Sequence, residues 1–321
     1  MTQVLLTGCT GFVGSNLAKR LIEDGYNVYG LVRHSSRRDL RHLEDVLEKM
    51  HIIEGDFTEY HSACSAIAAT NPQFVLHVGA LTPVRLSFED PFPFIPINFQ
   101  GTVNLIHGML EKAPRARLIY ASTAEVYGWQ EKKPIPETAT FNPASPYAVS
   151  KAAADQYVQM SMRVYGLKAT ILRPINTYGR KGERGYFVEY LVTSMLKGDT
   201  VYVGAPDSVR DYMFVDDHVN AYIESMESEK AVGQAFNVSP GKPVTNKELT
   251  QLVAKLTDFE KKIMFGSYPP GYPQRPAQWD PDYLVLDSRK INKLLGWKPK
   301  VTLESGLLKT IECWKEESYS G

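Results

Sequence analysis

A five-residue apolar run at 3–7 passes straight into Gly8-Cys-Thr-Gly11-Phe-Val-Gly14. Apolar residues then recur with helical spacing at Phe12, Val13, Leu17, Leu21 and Ile22, so a helix is expected over 12–24. Glycines between a strand and a helix let the backbone approach a bound group closely. The helix start adds free N–H groups and the positive end of its dipole. Strand, glycine loop and helix in that order read as the pyrophosphate cradle of a dinucleotide, with Gly8, Thr10, Gly11, Phe12, Val13 and Gly14 around it. A tight turn with one close-packing glycine is the plain alternative. The position between strand and helix favours the cradle.

The alternation continues through the first half. Strands are expected at 27–32, 51–54, 74–78, 117–121 and 168–173, and helices near 58–69, 94–112 and 146–166. Strands separated by helices of this length imply parallel crossovers, hence an α/β fold with a Rossmann-type doubly wound parallel sheet. After about residue 174 the rhythm changes. Turn-rich stretches at 178–185 and 268–273 interrupt it, and further helices are expected near 216–228, 245–257 and 303–317. Residues 1–174 are thus read as an NADP-binding domain to which some later segments return. Residues 175–321 are read as a smaller C-terminal α/β substrate lobe.

With 321 residues, 43% of them apolar, the chain can bury a large core, which excludes a disordered protein. No apolar run approaches ~18 residues, so no membrane span is expected. The first residues lack the basic stretch of a signal peptide. Lys plus Arg and Asp plus Glu both total 36, so no chain-wide electrostatic footprint for nucleic acid exists. Cys9, Cys64 and Cys313 are widely spaced, which argues against disulfides and a cysteine zinc site and points to the cytoplasm. His34, His51, His61 and His107 lack metal-ligand spacing, and no metal is expected. Trp129, Trp279, Trp297 and Trp314 are read as packing anchors.

The end of the second strand bears on the cofactor. NAD-binding folds often place an acid there, but this chain runs Arg33-His-Ser35-Ser36-Arg37-Arg38. Arg33, Ser36 and Arg38 suit a 2′-phosphate, so NADP is favoured, with NAD possible. A solvated basic loop is the alternative. Asp56 is a candidate partner for the adenine amino group or a simple helix cap, with Phe57 beside the ring.

Tyr147 and Lys151 stand at i and i+4, on one face of the expected helix. A cation beside a phenol stabilises phenolate, which lets a tyrosine take an alcohol proton near neutral pH. The segment Ser122-Thr123-Ala124-Glu125-Val126-Tyr127-Gly128 follows the fifth strand, where α/β folds place ligands. Thr123 can hold a substrate hydroxyl. Glu125 is either a salt-bridged loop acid or a second base that removes a carbon-bound proton. Cys9 has no partner base and is given no catalytic role.

Taken together, Gly8–Gly14, Ser122–Gly128 and Tyr147/Lys151 resemble the extended short-chain dehydrogenase/reductase family of nucleotide-sugar enzymes. Segments at 98–105, 173–179, 210–217 and 295–299 extend the resemblance over essentially the whole chain. It implies Gly79 and Ala80 as further cofactor contacts. Thr-x-Glu-x-Tyr-Gly resembles the 4,6-dehydratases, and Ala124, where the dTDP-glucose branch has Asp, points to the GDP-mannose branch. There Glu125 would be the C5 base, Thr123 would orient the sugar 4-hydroxyl, and Lys151 would lower the Tyr147 pKa. Arg210 and Arg275 would hold the diphosphate of a nucleotide-diphosphate sugar, with Asn176 and Ser87 as further contacts. A UDP-sugar 4-epimerase and a 4-keto-sugar reductase remain open alternatives. The resemblance also implies a homodimer through the helices at 94–112 and 147–165, or a homotetramer.

Overall fold

The computed structural model describes residues 1–35, 40–179, 185–269 and 282–319. The first half runs β1 (Gln3–Thr7), α1 (Phe12–Glu23), β2 (Asn27–Val32), β3 (His51–Glu54), α2 (Tyr60–Thr70), β4 (Phe74–His77), α3 (Val84–Glu89), α4 (Gly101–Lys112), β5 (Arg117–Ala121), α5 (Pro146–Val164) and β6 (Ala169–Pro174). A π-helical turn, Ile95–Gln100, leads into α4. The second half runs β7 (Asn176–Tyr178), α6 (Phe187–Lys197), β8 (Val201–Val203), β9 (Val209–Arg210), β10 (Tyr212–Phe214), α7 (Val215–Glu227), β11 (Ala235–Val238), β12 (Val244–Thr245), α8 (Asn246–Leu256), β13 (Ile263–Phe265), β14 (Tyr283–Leu284), α9 (Arg289–Leu295) and α10 (Leu303–Tyr319).

Seven strands form one parallel sheet in the order β11-β6-β5-β4-β1-β2-β3. Successive side chains point to opposite faces of a strand, and the core divides accordingly. Leu5, Val75, Leu118 and Ile171 pack with Ala63, Ile67, Leu105, Met109, Ala154 and Val158 of α2, α4 and α5. Val4, Leu6, Leu76, Ile119 and Leu172 pack with Leu17 and Leu21 of α1 and Val219 and Ile223 of α7. Burial on both faces explains why the strands read as short continuous apolar runs. The strand order reverses between β1 and β4. Their carboxyl ends, Thr7 and His77, therefore flank the crevice where ligands bind in open α/β sheets.

The seventh strand, β11, comes from the second half of the chain and joins the sheet beside β6. The other strands of that half are two or three residues long and form small pairings: β10 with β7, β13 with β8, and β9 between β12 and β14. Three helices go beyond the sequence expectation. Two of them, α3 and α9, have only six and seven residues, too short for periodicity to register. The third, α6, follows directly on the glycine-rich stretch that reads as turn. Trp297 and Trp314 are buried as expected of anchors, but Trp129 is 55% exposed. Trp279 lies outside the described residues. Among the described residues no helix is long and apolar enough to cross a membrane.

Candidate active site

The glycine loop sits at the crevice. Gly8 has φ +71°, and a Cβ there would come within 2.6 Å of Gly79 Cα, so the ends of β1 and β4 touch only because both residues lack side chains. A Cβ on Gly14 would collide with the Gly8 carbonyl. Gly11 differs: it is the N-cap of α1, its φ is −85°, and a Cβ would make only an ordinary 3.5 Å contact. The fold therefore does not demand glycine at 11, which leaves a bare backbone at the helix start. No side chain caps α1, and no acid lies in its first turn. Such a helix start carries unsatisfied N–H groups and fits an anion such as a pyrophosphate. Thr10, Phe12 and Val13 complete this turn. Cys9 is buried in it, and burial pushes its thiol up to about 12, which makes it inert at neutral pH.

A buried relay stiffens the crevice. Gly79 N–H donates to Thr7 Oγ1 at 3.0 Å, and Thr7 Oγ1 lies 2.7 Å from His77 Nδ1. His77 Nε2 lies 3.1 Å from Thr102 Oγ1, which donates to the Asn98 carbonyl. That leaves the Thr102 hydroxyl as acceptor for a proton on Nε2, so Nδ1 accepts from Thr7. His77 is neutral in this arrangement, because burial, helped by the Lys151 charge, lowers it to about 3. Gly79 is thereby pinned, with Ala80 half-buried beside it.

Arg33 is exposed just past β2, and His34 pairs with Glu54 at 2.9 Å. Ser36 and Arg38 lie outside the described residues. Asp56 does not cap α2, whose N-cap is Glu59; its Oδ1 accepts from the Thr58 N–H and hydroxyl at 2.9 and 2.8 Å in the turn ahead of the helix. Phe57 stands edge-on to His77 at 5.1 Å. Its ring fills the space where a Cβ on Gly79 or Gly101 would come within 2.9 or 2.5 Å.

Tyr147, Lys151, Thr123 and Glu125 converge at the carboxyl end of β5. Ser145 caps α5 by accepting the Ala148 N–H at 3.1 Å, and Pro146 occupies the first turn. This fixes Tyr147 early in the helix. Thr123 caps a 3-10 turn, Ala124–Val126, by accepting the Glu125 N–H. Tyr147 is buried; desolvation pushes its phenol well above the usual range, and Glu125 and Tyr186 add to the rise. A hydrogen bond with Thr123 acts the other way. Lys151 Nζ donates to the Ala121 carbonyl at 2.5 Å and lies 4.5 Å from the Tyr120 ring centroid. Burial lowers it to about 7 against the pull of Asp155. Lys151 Nζ thus donates to a backbone carbonyl, while desolvation, Thr123, Glu125 and Tyr186 act on Tyr147.

Beneath these groups lies a polar scaffold that sequence reasoning missed. Arg173 holds Asp155 through two hydrogen bonds of 2.9 Å, both residues being buried. Ser122 donates to Asp155, and Arg173 donates to the Tyr127 hydroxyl, which donates to Asn237 on β11. The network ties α5, β6, β11 and the Ser122–Gly128 segment together. Asp155 follows Lys151 by one turn on the helix face that bears Tyr147, and that spacing was the available signal. Asn98, in the π-helical turn, accepts the Leu81 N–H and donates to Ser150, locking the loop after β4 to α5.

The substrate candidates are scattered. Asn176 is exposed on β7. Arg210 on β9 is largely buried and donates to the Val209 carbonyl. Ser87 is buried in α3, where its hydroxyl donates to the Val84 carbonyl at 2.6 Å. Arg275 lies outside the described residues. Among the described residues no group of His, Cys, Asp and Glu could hold a metal ion.

A family profile described as GDP-mannose 4,6 dehydratase matches residues 5–310. The UDP-glucose 4-epimerase of Mycolicibacterium smegmatis is 32% identical over 98% of this chain and 99% of its own. Among solved structures, the Thermotoga maritima UDP-glucose 4-epimerase with UDP-glucose superposes with TM-score 0.89 at 30% identity, covering 99% of this chain and 100% of its own. The Streptomyces venezuelae dTDP-glucose 4,6-dehydratase with NAD and TYD bound also gives TM-score 0.89, at 25% identity over 99% of this chain and 98% of its own.

Proposed function

This chain belongs to the extended short-chain dehydrogenase/reductase family of nucleotide-sugar enzymes, and from that premise we propose that it is an NADP-dependent nucleotide-sugar 4,6-dehydratase acting on GDP-mannose or a related GDP-hexose. The observation that carries the reaction is the place of Glu125 in the 3-10 turn that Thr123 caps, directly after β5, the strand end to which Lys151 of the Tyr147 helix is bonded. A carboxylate beside the catalytic hydroxyl is what abstraction of a second, carbon-bound proton requires, and simple alcohol oxidation has no use for it.

The chemistry supplied by a bound nicotinamide dinucleotide is hydride transfer, away from sugar C4 and later back to C6. Tyr147 takes the proton of the 4-hydroxyl, which Thr123 orients. The ketone formed at C4 acidifies the C5 proton. Glu125 removes that proton and returns it to the departing 6-hydroxyl, so that water leaves from C6, and the proton taken up by Tyr147 goes back to C5 as hydride reaches C6. Lys151, Gly79, Ala80 and the glycine loop hold the dinucleotide. Arg33, just past β2, favours the 2′-phosphate of NADP, with Ser36 and Arg38 as the further candidates the sequence supplies. Arg210 and Arg275 bind the sugar diphosphate as guanidinium forks, aided by Asn176 and Ser87. The protein works in the cytoplasm as a homodimer joined through α4 and α5. Exposed Val149 and Val164 on α5 support that face. The matches to UDP-glucose 4-epimerases favour a second reading, 4-epimerisation of a UDP-hexose.

Mass spectrometry of GDP-mannose incubated with the protein, with and without added NADP⁺, tests the proposal. Loss of one water without net NADPH production supports it. An isomer of unchanged mass from a UDP-hexose would replace it with the epimerase, and NADPH consumed in proportion to product would replace it with a reductase.

A further inference from the structure

A dinucleotide has one course through this crevice. Its pyrophosphate meets the start of α1, and its nicotinamide reaches Tyr147 and Lys151 by crossing the carboxyl end of β4. Tyr186, from the second half of the chain, spans that crossing. It lies just ahead of α6, half-buried at the helix N-cap. On one side its ring lies 6.5 Å from that of Phe12, the buried first residue of α1. On the other its hydroxyl is 2.8 Å from Thr82 Oγ1, in the loop that carries Gly79 and Ala80. Both sides are fixed posts. Asn98 accepts the Leu81 N–H at 2.8 Å and donates to the Leu81 carbonyl at 2.9 Å, which pins the residue before Thr82. The Phe12 carbonyl accepts from the Ser15 and Asn16 side chains at 3.0 and 2.9 Å. None of the proton steps above uses Tyr186 or Thr82.

We infer that Tyr186 and Thr82 form a clasp across the dinucleotide crevice, and that their hydrogen bond opens each time a dinucleotide enters or leaves. The inference rests on the dinucleotide reading of the crevice. A reaction that returns its hydride in every turn has no need to exchange the dinucleotide, and a clasp keeps it in place between turns. The bond joins two protein groups, so it sets the height of a barrier and not an affinity. Entry and release cross that barrier in opposite directions. Loss of the bond therefore speeds both by one factor and leaves Kd as it was.

The test follows NADPH fluorescence in stopped flow with wild type, Tyr186→Phe, Thr82→Val and the double variant; NADH takes its place where NADPH does not bind. Tyr186→Phe keeps the ring on Phe12, and Thr82→Val keeps the side-chain shape, so each removes the bond and little else. Each should raise the dissociation rate, measured by chase with excess oxidised dinucleotide, about five- to tenfold, the worth of one hydrogen bond. The association rate should rise by the same factor, with Kd held within about twofold. The double variant should match the single ones, because the same bond is lost only once. Unchanged rates in either single variant overturn the clasp. So does faster release with unchanged association, which would make the altered residue a direct contact of the dinucleotide, and so do effects that add in the double variant. A wild type that binds neither NADPH nor NADH overturns the dinucleotide reading and the clasp with it. A wild type that binds, beside variants with the same rates, faults the clasp alone.

Discussion

On the sheet's carboxyl edge Tyr147, Lys151 and Thr123 are all buried, and each is tied to a strand end or to its neighbour. In the second half of the chain Asn176 stands exposed on a three-residue strand, and Arg210 sits on a two-residue strand. The first region is backbone and buried polar networks; the second is short pieces carrying long side chains. Reaction groups must be held to fractions of an ångström, and a parallel sheet with capped helices does that. Groups that recognise a substrate can sit on small elements and loops, where one scaffold accepts different sugars. Relatives named for epimerisation and for dehydration share this fold.

The largest expected effect breaks the first region from below. Arg173→Met would leave Asp155 charged and buried without its partner, and unfolding free energy should drop by about 3–5 kcal/mol. Chemical denaturation measures it. A drop under about 1 kcal/mol would show the network to be dispensable.

The glycine loop separates folding from binding. Gly14→Ala forces a Cβ into the Gly8 carbonyl and should destabilise by about 1–3 kcal/mol. Gly11→Ala has room for its Cβ, so its melting temperature should hold while dinucleotide affinity falls about tenfold or more. Calorimetry and cofactor titration on the two variants check the split. A Gly11→Ala protein with full affinity would place the pyrophosphate elsewhere.

How far these features can be read from the chain follows from their range. The bounds expected for β1, β2, β3 and β5 match the structure, because each is an apolar run cut off by glycine, charge or turn residues. β11 fails that test: its partner β6 lies some sixty residues earlier, and no local pattern records the pairing. Tyr147, Lys151, Thr123 and Glu125 were legible as short-range spacing on a helix and a strand end. Arg173 was not, since a charge in an apolar context reads as noise until its distant partner is known, and Asp155 offered only its one-turn spacing from Lys151. Ser87 and Asp56 also bond locally, to the Val84 carbonyl and the Thr58 N–H, a use that carries no spacing signal.

Acid should weaken the fold. His77 and His218 are each buried and lowered to about 3 from 6.5. Below 6.5 the unfolded chain takes up protons that the folded chain refuses, so stability falls as pH drops from 6.5 toward 3. Melting temperatures across that window check the sign; a rise on acidification would show that neither histidine is buried neutral. The smallest effect lies in the second lobe. Asn176→Ala removes an exposed, neutral amide proposed as a substrate contact, so KM for the nucleotide sugar should rise about three- to tenfold with kcat nearly constant. A change confined to kcat would move Asn176 into the reacting region.

The central claim, that Glu125 is the second base, is tested most directly by Glu125→Gln. Mass spectrometry of its products from GDP-mannose should show no loss of water over times in which wild type converts fully. Fold and cofactor content should stay as in wild type. Dehydration by Glu125→Gln at the wild-type rate would contradict the account.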